Sequence, residues 1–225
     1  MKYFDLGINK ILKNILANLD NVEKILDVGS VKSTVDFLRE IFSDSTIYAL
    51  NIDKKALKEI PKERNLKVVL RDCQDMANFK NNFFDLIFCN QVLEHVLYPE
   101  KCLHECHRIL KKNGTMVFTT PNLASWFNRL LLLFGYQPSN YTVSEEFKNL
   151  GLPTFLHKEN IYDHPRVFTL RALKEIFEKT GFKITYLNVV NHAYPGQPYR
   201  RIRQILNMFL PRNWKENIIV EAVKR

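Results

Sequence analysis

The sequence predicts an α/β fold, a mostly parallel sheet with helices on both faces, and three observations predict it. From Lys24 onward, short apolar runs rich in β-branched and aromatic residues alternate with helix-like patterns, the arrangement of parallel strands joined by crossover helices. The 225 residues, 46% hydrophobic and 25% charged, suffice to bury one core. The longest apolar run, Leu130–Phe134, falls far short of the roughly 20 residues that a membrane-spanning helix needs.

Residues 4–19 space Phe4, Ile8, Ile11, Leu12, Ile15, Leu16 and Leu19 as the stripe of an amphipathic helix. Residues 1–20 are therefore expected to form an N-terminal lid helix packed on the domain. KILDV, TIYALNI, LKVVL, FDLIFCN and TMVFTT follow as strands, being brief and β-branched or aromatic. Between them, residues 34–42, 54–60 and 99–111 are expected to be helical, with Asp53 capping the second and Asn113-Gly114 ending the third. After Pro121 the alternation lapses until Thr169. The stretch 122–168 holds an apolar helix pattern from Leu123 to Phe134, then Pro138, Gly151, Pro153 and Pro165, and reads as an insertion over the active site. Regularity returns with TLRALKEIFEKTGF, where Thr169 can cap a helix and Gly181 can stop it, and with strand FKITYLNVV. The last strand, NIIVEAVKR, is separated from it by Pro195, Gly196, Pro198 and a basic helix pattern, RIRQILNMF. Seven strands are thus counted in a single domain over 1–225.

An excess of 33 Lys and Arg over 24 Asp and Glu gives a formal charge of +9, which favours anionic partners. Most of this charge is scattered, as on a solvated surface; Arg200, Arg201 and Arg203 beside Tyr199 form one local cluster. In MKYFDLGINKILKNIL, Asp5, Lys10 and Lys13 interrupt what would be a signal core, and none of the four cysteines forms a CxxC pair. A reduced, cytoplasmic protein is expected. Cys102, His104, Cys106 and His107 have zinc-ligand chemistry. However, Cys102, Leu103, Cys106, Ile109 and Leu110 share one helix face, so these cysteines are read as core and no metal is assigned.

In an open α/β sheet, ligands collect at the carboxyl ends of the strands. Those ends carry Asp27-Val28-Gly29-Ser30-Val31-Lys32-Ser33, then Asn51-Ile52-Asp53, then Asp72-Cys73, then Asn90 through His95. With ILDVGS, FFDLIFCNQVLEHV, HECHRILKKNGTMVFTTPN and VFTLRALKEIFEKTGF in register, the chain from about Lys24 onward resembles the class I S-adenosylmethionine-dependent methyltransferases, in their small-molecule branch. The resemblance implies a Rossmann-like sheet of five parallel strands plus a terminal antiparallel pair, in agreement with the seven strands counted. It implies S-adenosylmethionine as cofactor, with Asp27, Val28 and Gly29 near its methionine end and Asn51 at the ribose, Ile52 and Asp53 beside it. Asp72 and Cys73 would face adenine, and Asn90 would lie under the cofactor.

Two positions depart from the family. Where it usually has three glycines, this chain has Gly29, Val31 and Ser33; a β-branched Val31 is expected to resist positive φ and to crowd the methionine end. Where the family typically has a ribose-binding carboxylate, the chain has Asn51, a weaker acceptor. Asp53, two residues on, is read either as its partial substitute or as a helix cap.

Glu94 and His95 are the candidate catalytic residues, because an imidazole suits removal of a hydroxyl proton. Ubiquinone-type O-methyltransferases are similar here and gather acidic residues and a histidine around a divalent metal, but Gln91 stands where their first carboxylate would be. His157, Tyr162 and His164 are candidates to line the acceptor pocket. The expected function is methyl transfer to an oxygen, less readily a nitrogen, of a small or lipid-linked metabolite. A catalytically silent Rossmann-like binding protein is the alternative that Val31 and Asn51 leave open. A nucleic-acid methyltransferase recruited by the arginine cluster is a second, disfavoured because Asn90-Gln91-Val92 is not the Asn-Pro-Pro-Tyr type of motif used on nucleic bases. LASWFNRLLLLF also allows a peripheral membrane contact, and the first helix or the insertion allows a homodimer.

Overall fold

The computed structural model describes residues 6–144, 146–157, 164–191 and 210–225. Phe4, Tyr162, the arginine cluster and the basic helix pattern before the last strand lie outside the described residues. In chain order the elements are α1 (Leu6–Ala17), β1 (Lys24–Val28), α2 (Lys32–Ile41), β2 (Thr46–Asn51), α3 (Lys54–Lys58), β3 (Leu66–Leu70) and β4 (Phe84–Asn90). They continue with α4 (Pro99–Ile109), β5 (Leu110–Pro121), α5 (Trp126–Leu133), α6 (Leu170–Lys179), β6 (Phe182–Val190) and β7 (Asn217–Lys224).

The seven strands lie in the order β3-β2-β1-β4-β5-β7-β6. Neighbours from β3 through β5 are parallel, whereas β7 is antiparallel to both β5 and β6. The reversed strand is therefore interior, and β6 at the edge points the same way as β1 to β5. Strand order reverses between β1 and β4, which opens a crevice at their carboxyl ends.

Period-two alternation sends successive side chains to opposite faces. Leu26 and Val28 of β1 join one core with Ile87 and Cys89 of β4, Met116 and Phe118 of β5, and Ile218 and Val220 of β7. α4 covers this face with Cys102, Leu103, Cys106 and Ile109, and α6 with Leu173 and Phe177, so the cysteines of α4 sit in the core stripe that their spacing predicts. On the other face Ile25, Phe88, Val117 and Ile219 meet Ile8, Leu12, Ile15 and Leu16 of α1 and Phe37 and Leu38 of α2. Helices thus bury both faces of the sheet.

Asp53 caps α3 by accepting from Lys55 N at 2.8 Å, and Thr169 caps α6 by accepting from Ala172 N at 3.2 Å. Three expected helix boundaries are corrected: α2 runs Lys32–Ile41 instead of 34–42, α3 ends at Lys58 instead of 60, and α4 stops at Ile109 instead of running to 111. Leu110 is fully buried and already pairs with Phe84 of β4, so burial in the sheet ends the helix before Asn113, which turns the chain at φ 63°.

Candidate active site

The first loop of the crevice is built around Asp27, a fully buried carboxylate at the end of β1. Its Oδ2 accepts from the hydroxyls of Ser30 and Thr34, while its Oδ1 has no hydrogen-bond partner among the described residues. Burial pushes the Asp27 carboxyl up to about 7, against the two hydroxyls that pull it down. Gly29 follows at φ +73°, and a Cβ there would lie 2.4 Å from Val92 Cγ2. Glycine is required here both for the turn and for the close approach of the segment after β4.

Val31 is a correction. It was expected to resist the loop, yet it lies at φ −133° and ψ 165°, extended backbone that any residue adopts, as the N-cap of α2. Its amide donates to Thr34 Oγ1 at 3.1 Å. The sharp turn is completed at Gly29, so the second and third glycine positions need no positive φ.

Asn51, at the end of β2, ties this loop to the next. Its Nδ2 donates to the Ser30 carbonyl at 2.9 Å and its Oδ1 accepts from Asp53 N at 2.9 Å. A carboxylate could not make the first of these bonds and would set an oxygen against a carbonyl. Asn51→Asp is therefore expected to lower the unfolding free energy by about 1–2 kcal/mol, measured by denaturant titration; an unchanged midpoint would remove the bracing role. Ile52, next along, is 71% exposed, an apolar side chain that the core does not use. Asp72 accepts from the backbone and side chain of Gln74. Cys73 is turned into the core, where a hydrogen bond to Cys102, together with burial, pushes its thiol up.

At the end of β4, Asn90 Oδ1 accepts from Thr119 Oγ1 at 2.6 Å, and Gln91 adopts φ 54°, a sparsely populated conformation for a residue of its type. The Gln91 carboxamide is oriented so that its nitrogen donates to Glu94 Oε1 at 3.2 Å and its oxygen accepts from Thr120 N at 3.2 Å. Glu94 is fully buried. Its other oxygen accepts from Thr120 Oγ1 at 3.1 Å, and burial pushes its carboxyl up to about 8. His95 beside it is exposed.

The segment 122–168 returns to this point. Asn122 bridges to Phe168, so its two ends adjoin, and Arg166 N donates to the Glu94 carbonyl at 3.2 Å. His164, buried, packs edge-to-face on His95 with ring centroids 4.6 Å apart. A polar relay holds it: His164 Nδ1 lies 3.0 Å from the Asn140 carbonyl, and Asn140 Oδ1 accepts from Asn128 Nδ2 of α5 at 2.8 Å. Glu94, His95 and His164 offer ligand atoms that all lie within 4.8 Å of one another. His157 is placed differently, in an exposed turn against the Leu152 carbonyl at 3.0 Å.

Sequence reasoning missed Ser30 and Thr34 as holders of Asp27, and Gln91, Thr120 and Asn140 as holders of Glu94 and His164. The hydroxyls three and seven residues after Asp27 were a readable signal, since Ser30 precedes the N-cap of the following helix and Thr34 lies in its first turn. The partners Thr120 and Asn140 are reached only through tertiary folding.

The family model described as a methyltransferase domain matches residues 3–187. Among curated proteins, an uncharacterised protein of Methanocaldococcus jannaschii is 32% identical over 149 residues, which is 65% of this chain and 49% of that protein. The chain thus spans about half the length of that relative. A ubiquinone biosynthesis O-methyltransferase of Photobacterium profundum is 33% identical over 57 residues, 25% of this chain and 24% of that one. Among solved structures, an S-adenosylmethionine-dependent methyltransferase from Archaeoglobus fulgidus matches with a TM-score of 0.63 at 16% identity, covering 97% of this chain and 93% of that one; at that identity the likeness is one of fold. With the family match extending over most of the chain and the strand order, glycine turn and β4 segment in place, this protein belongs to the class I S-adenosylmethionine-dependent methyltransferase superfamily.

Proposed function

We propose that the chain binds S-adenosylmethionine across the carboxyl ends of β1, β2 and β4 and transfers its methyl group to an oxygen of a small or lipid-linked acceptor. The observation that carries the reading is the buried, unpartnered Asp27 Oδ1 beside a glycine turn that admits no side chain. A polar atom left so at the ligand end of a sheet is the vacancy that a donor group of the cofactor fills. The exposed Ile52 supplies an apolar surface for the nucleoside, and Asn51 Oδ1 keeps acceptor capacity for a ribose hydroxyl. Asp53, Asp72, Cys73, Val28 and Asn90 are assigned to the same cofactor site, Val28 and Cys73 through their backbone because their side chains are buried.

The cofactor supplies a sulfonium-activated methyl group, and the protein's part is to align an acceptor with it and to exclude water. His95, which is exposed and lies beside Glu94 and His164, is proposed to take the proton that a hydroxyl loses as its oxygen is methylated. His157 and Tyr162 are proposed to line the path of the acceptor. Residues 122–168, whose ends adjoin at Asn122 and Phe168, are proposed to cover the site, and residues 1–20 to brace the sheet as an N-terminal lid. The exposed Leu132, Leu133, Phe134, Phe147, Leu150 and Phe155 on this insertion favour an acceptor with an apolar tail. No described helix is long and apolar enough to cross a membrane.

Isothermal titration with S-adenosylmethionine and S-adenosylhomocysteine tests the reading. Saturable binding is expected, and Val31→Gly is expected to bind no more tightly than the wild type, because Val31 already adopts the conformation the loop needs. Absence of binding at millimolar ligand would overturn it in favour of a silent binding protein.

A further inference from the structure

Positive charge gathers on the crossover that forms one end of the sheet. From Lys54 to Arg71 the chain carries seven Lys and Arg against only Glu59 and Glu63, more than half of its net charge of +9, and all of these side chains are exposed. Glu63 is held by Arg39 at 3.3 Å. Lys54, Lys55, Lys58, Lys62 and Arg64 enter no ion pair among the described residues. The flanking acids are engaged as well, Asp53 in the cap of α3 and Asp72 with Gln74.

β3, inside this basic stretch, is the terminal strand and pairs with β2 alone among the described strands. The Asn65 carbonyl accepts from Ile47 N at 2.9 Å, and Arg71 N donates to the Asn51 carbonyl at 3.1 Å. Odd-numbered residues therefore turn their backbone groups toward β2, and those of Val68 and Leu70 face outward. The side chains of these two residues are also 49% and 53% exposed. Edges are ordinarily blunted by a charge, a proline or a bulge. The strand LKVVL has no proline, and its one charged side chain, Lys67, donates to the Tyr48 hydroxyl at 3.1 Å, so it turns back across β2. At the opposite edge, by contrast, Arg212 donates to the Leu187 carbonyl of β6 at 2.8 Å.

We propose that the β3 edge docks an extended acidic segment of a partner protein, which adds to the sheet as a further strand. Such a segment meets all three features at once: its backbone pairs with Val68 and Leu70, its apolar side chains cover theirs, and its carboxylates face the unpaired cations. A second copy of this chain would set like charges against each other. A phosphate backbone or an anionic lipid surface would meet the cations but supply no donors and acceptors in strand register for the open edge.

The probe is a short synthetic peptide of alternating glutamate and valine, blocked at both ends. One control carries lysine in place of glutamate, and another is N-methylated throughout. Full-length protein is expected to bind the probe saturably by calorimetry, with slowed amide exchange at Val68 and Leu70, and to bind neither control. Val68→Pro removes an outward N–H that the β2 ladder does not use, as edge strands tolerate, and is expected to abolish binding. Combined Lys58→Glu, Lys62→Glu and Arg64→Glu should weaken it roughly tenfold or more; these side chains are exposed, so this variant keeps the test open if Val68→Pro fails to fold. The proposal is overturned by no saturable binding, by equal binding of either control, or by unchanged exchange at Val68 and Leu70. Tighter binding of uridine homopolymer RNA, or of phosphatidylglycerol vesicles, than of the peptide would also overturn it and reassign the surface.

Discussion

Gly29→Ala is expected to destabilise the protein by about 2–5 kcal/mol and to weaken cofactor binding tenfold or more. Two costs combine. At φ +73° an alanine carries a left-handed backbone penalty of about 1–2 kcal/mol. Its Cβ would also fall 2.4 Å from Val92 Cγ2. Val92 is β-branched, stiff at χ1 and packed against the main core, so relief requires the segment leading to Glu94 and His95 to move, at about 1–3 kcal/mol. A shift of that kind at the junction of cofactor loop and acceptor site is large on the scale that alignment tolerates. Combining Gly29→Ala with Val92→Ala should remove the steric share and leave the backbone share, as read by urea unfolding. Wild-type stability in Gly29→Ala alone would disprove the account.

Asp27 sets the second large effect. The folded-state carboxyl titrates at about 7, against an ordinary value of 3.8. The native protein therefore holds a proton there between these values while the unfolded chain does not. The stabilisation is full below about pH 4 and is lost as pH rises through about 7, amounting to about 4 kcal/mol for a shift of this size. Asp27→Asn removes the titration and keeps an acceptor for Ser30 and Thr34, so its unfolding free energy should fall less between pH 5 and 8 than that of the wild type. The slope should not vanish, because Glu94, raised from 4.5 to about 8, falls with the same sign. Parallel pH profiles for wild type and variant would rule out a buried, protonated Asp27.

How much of this was legible in the sequence depends on the range over which each feature is decided. The strands were readable from their short β-branched runs, and β1, β3, β4 and β6 occupy the runs that predict them. The caps at Asp53 and Thr169 were readable because capping is a contact between residues two or three apart. The end of α4 was not, because Leu110 leaves the helix for a pairing with Phe84 in another strand. The conformation at Val31 was not legible, because whether a loop needs a second positive φ depends on where its backbone turns, and here it turns at Gly29 alone. In the candidate site, the turn residues Glu94 and His95 stand out in sequence as polar residues after an apolar strand. Nothing local indicates that His164 rather than His157 packs on them; that choice is made by the Asn128–Asn140 relay within the insertion.

The placement of β7 between β5 and β6 has a consequence for synthesis. A chain emerging from the ribosome can assemble β1 to β5 as each parallel neighbour arrives, but β6 appears with no strand to pair with and β5 keeps one side bare. Both wait for residues 217–224, which must slot between them and form two ladders at once. During that interval the nascent protein exposes the free side of β5 and both sides of β6, the surfaces most prone to cross-chain pairing. Slowed translation just before Asn217 should therefore raise the aggregated fraction more than the same delay placed after Lys224.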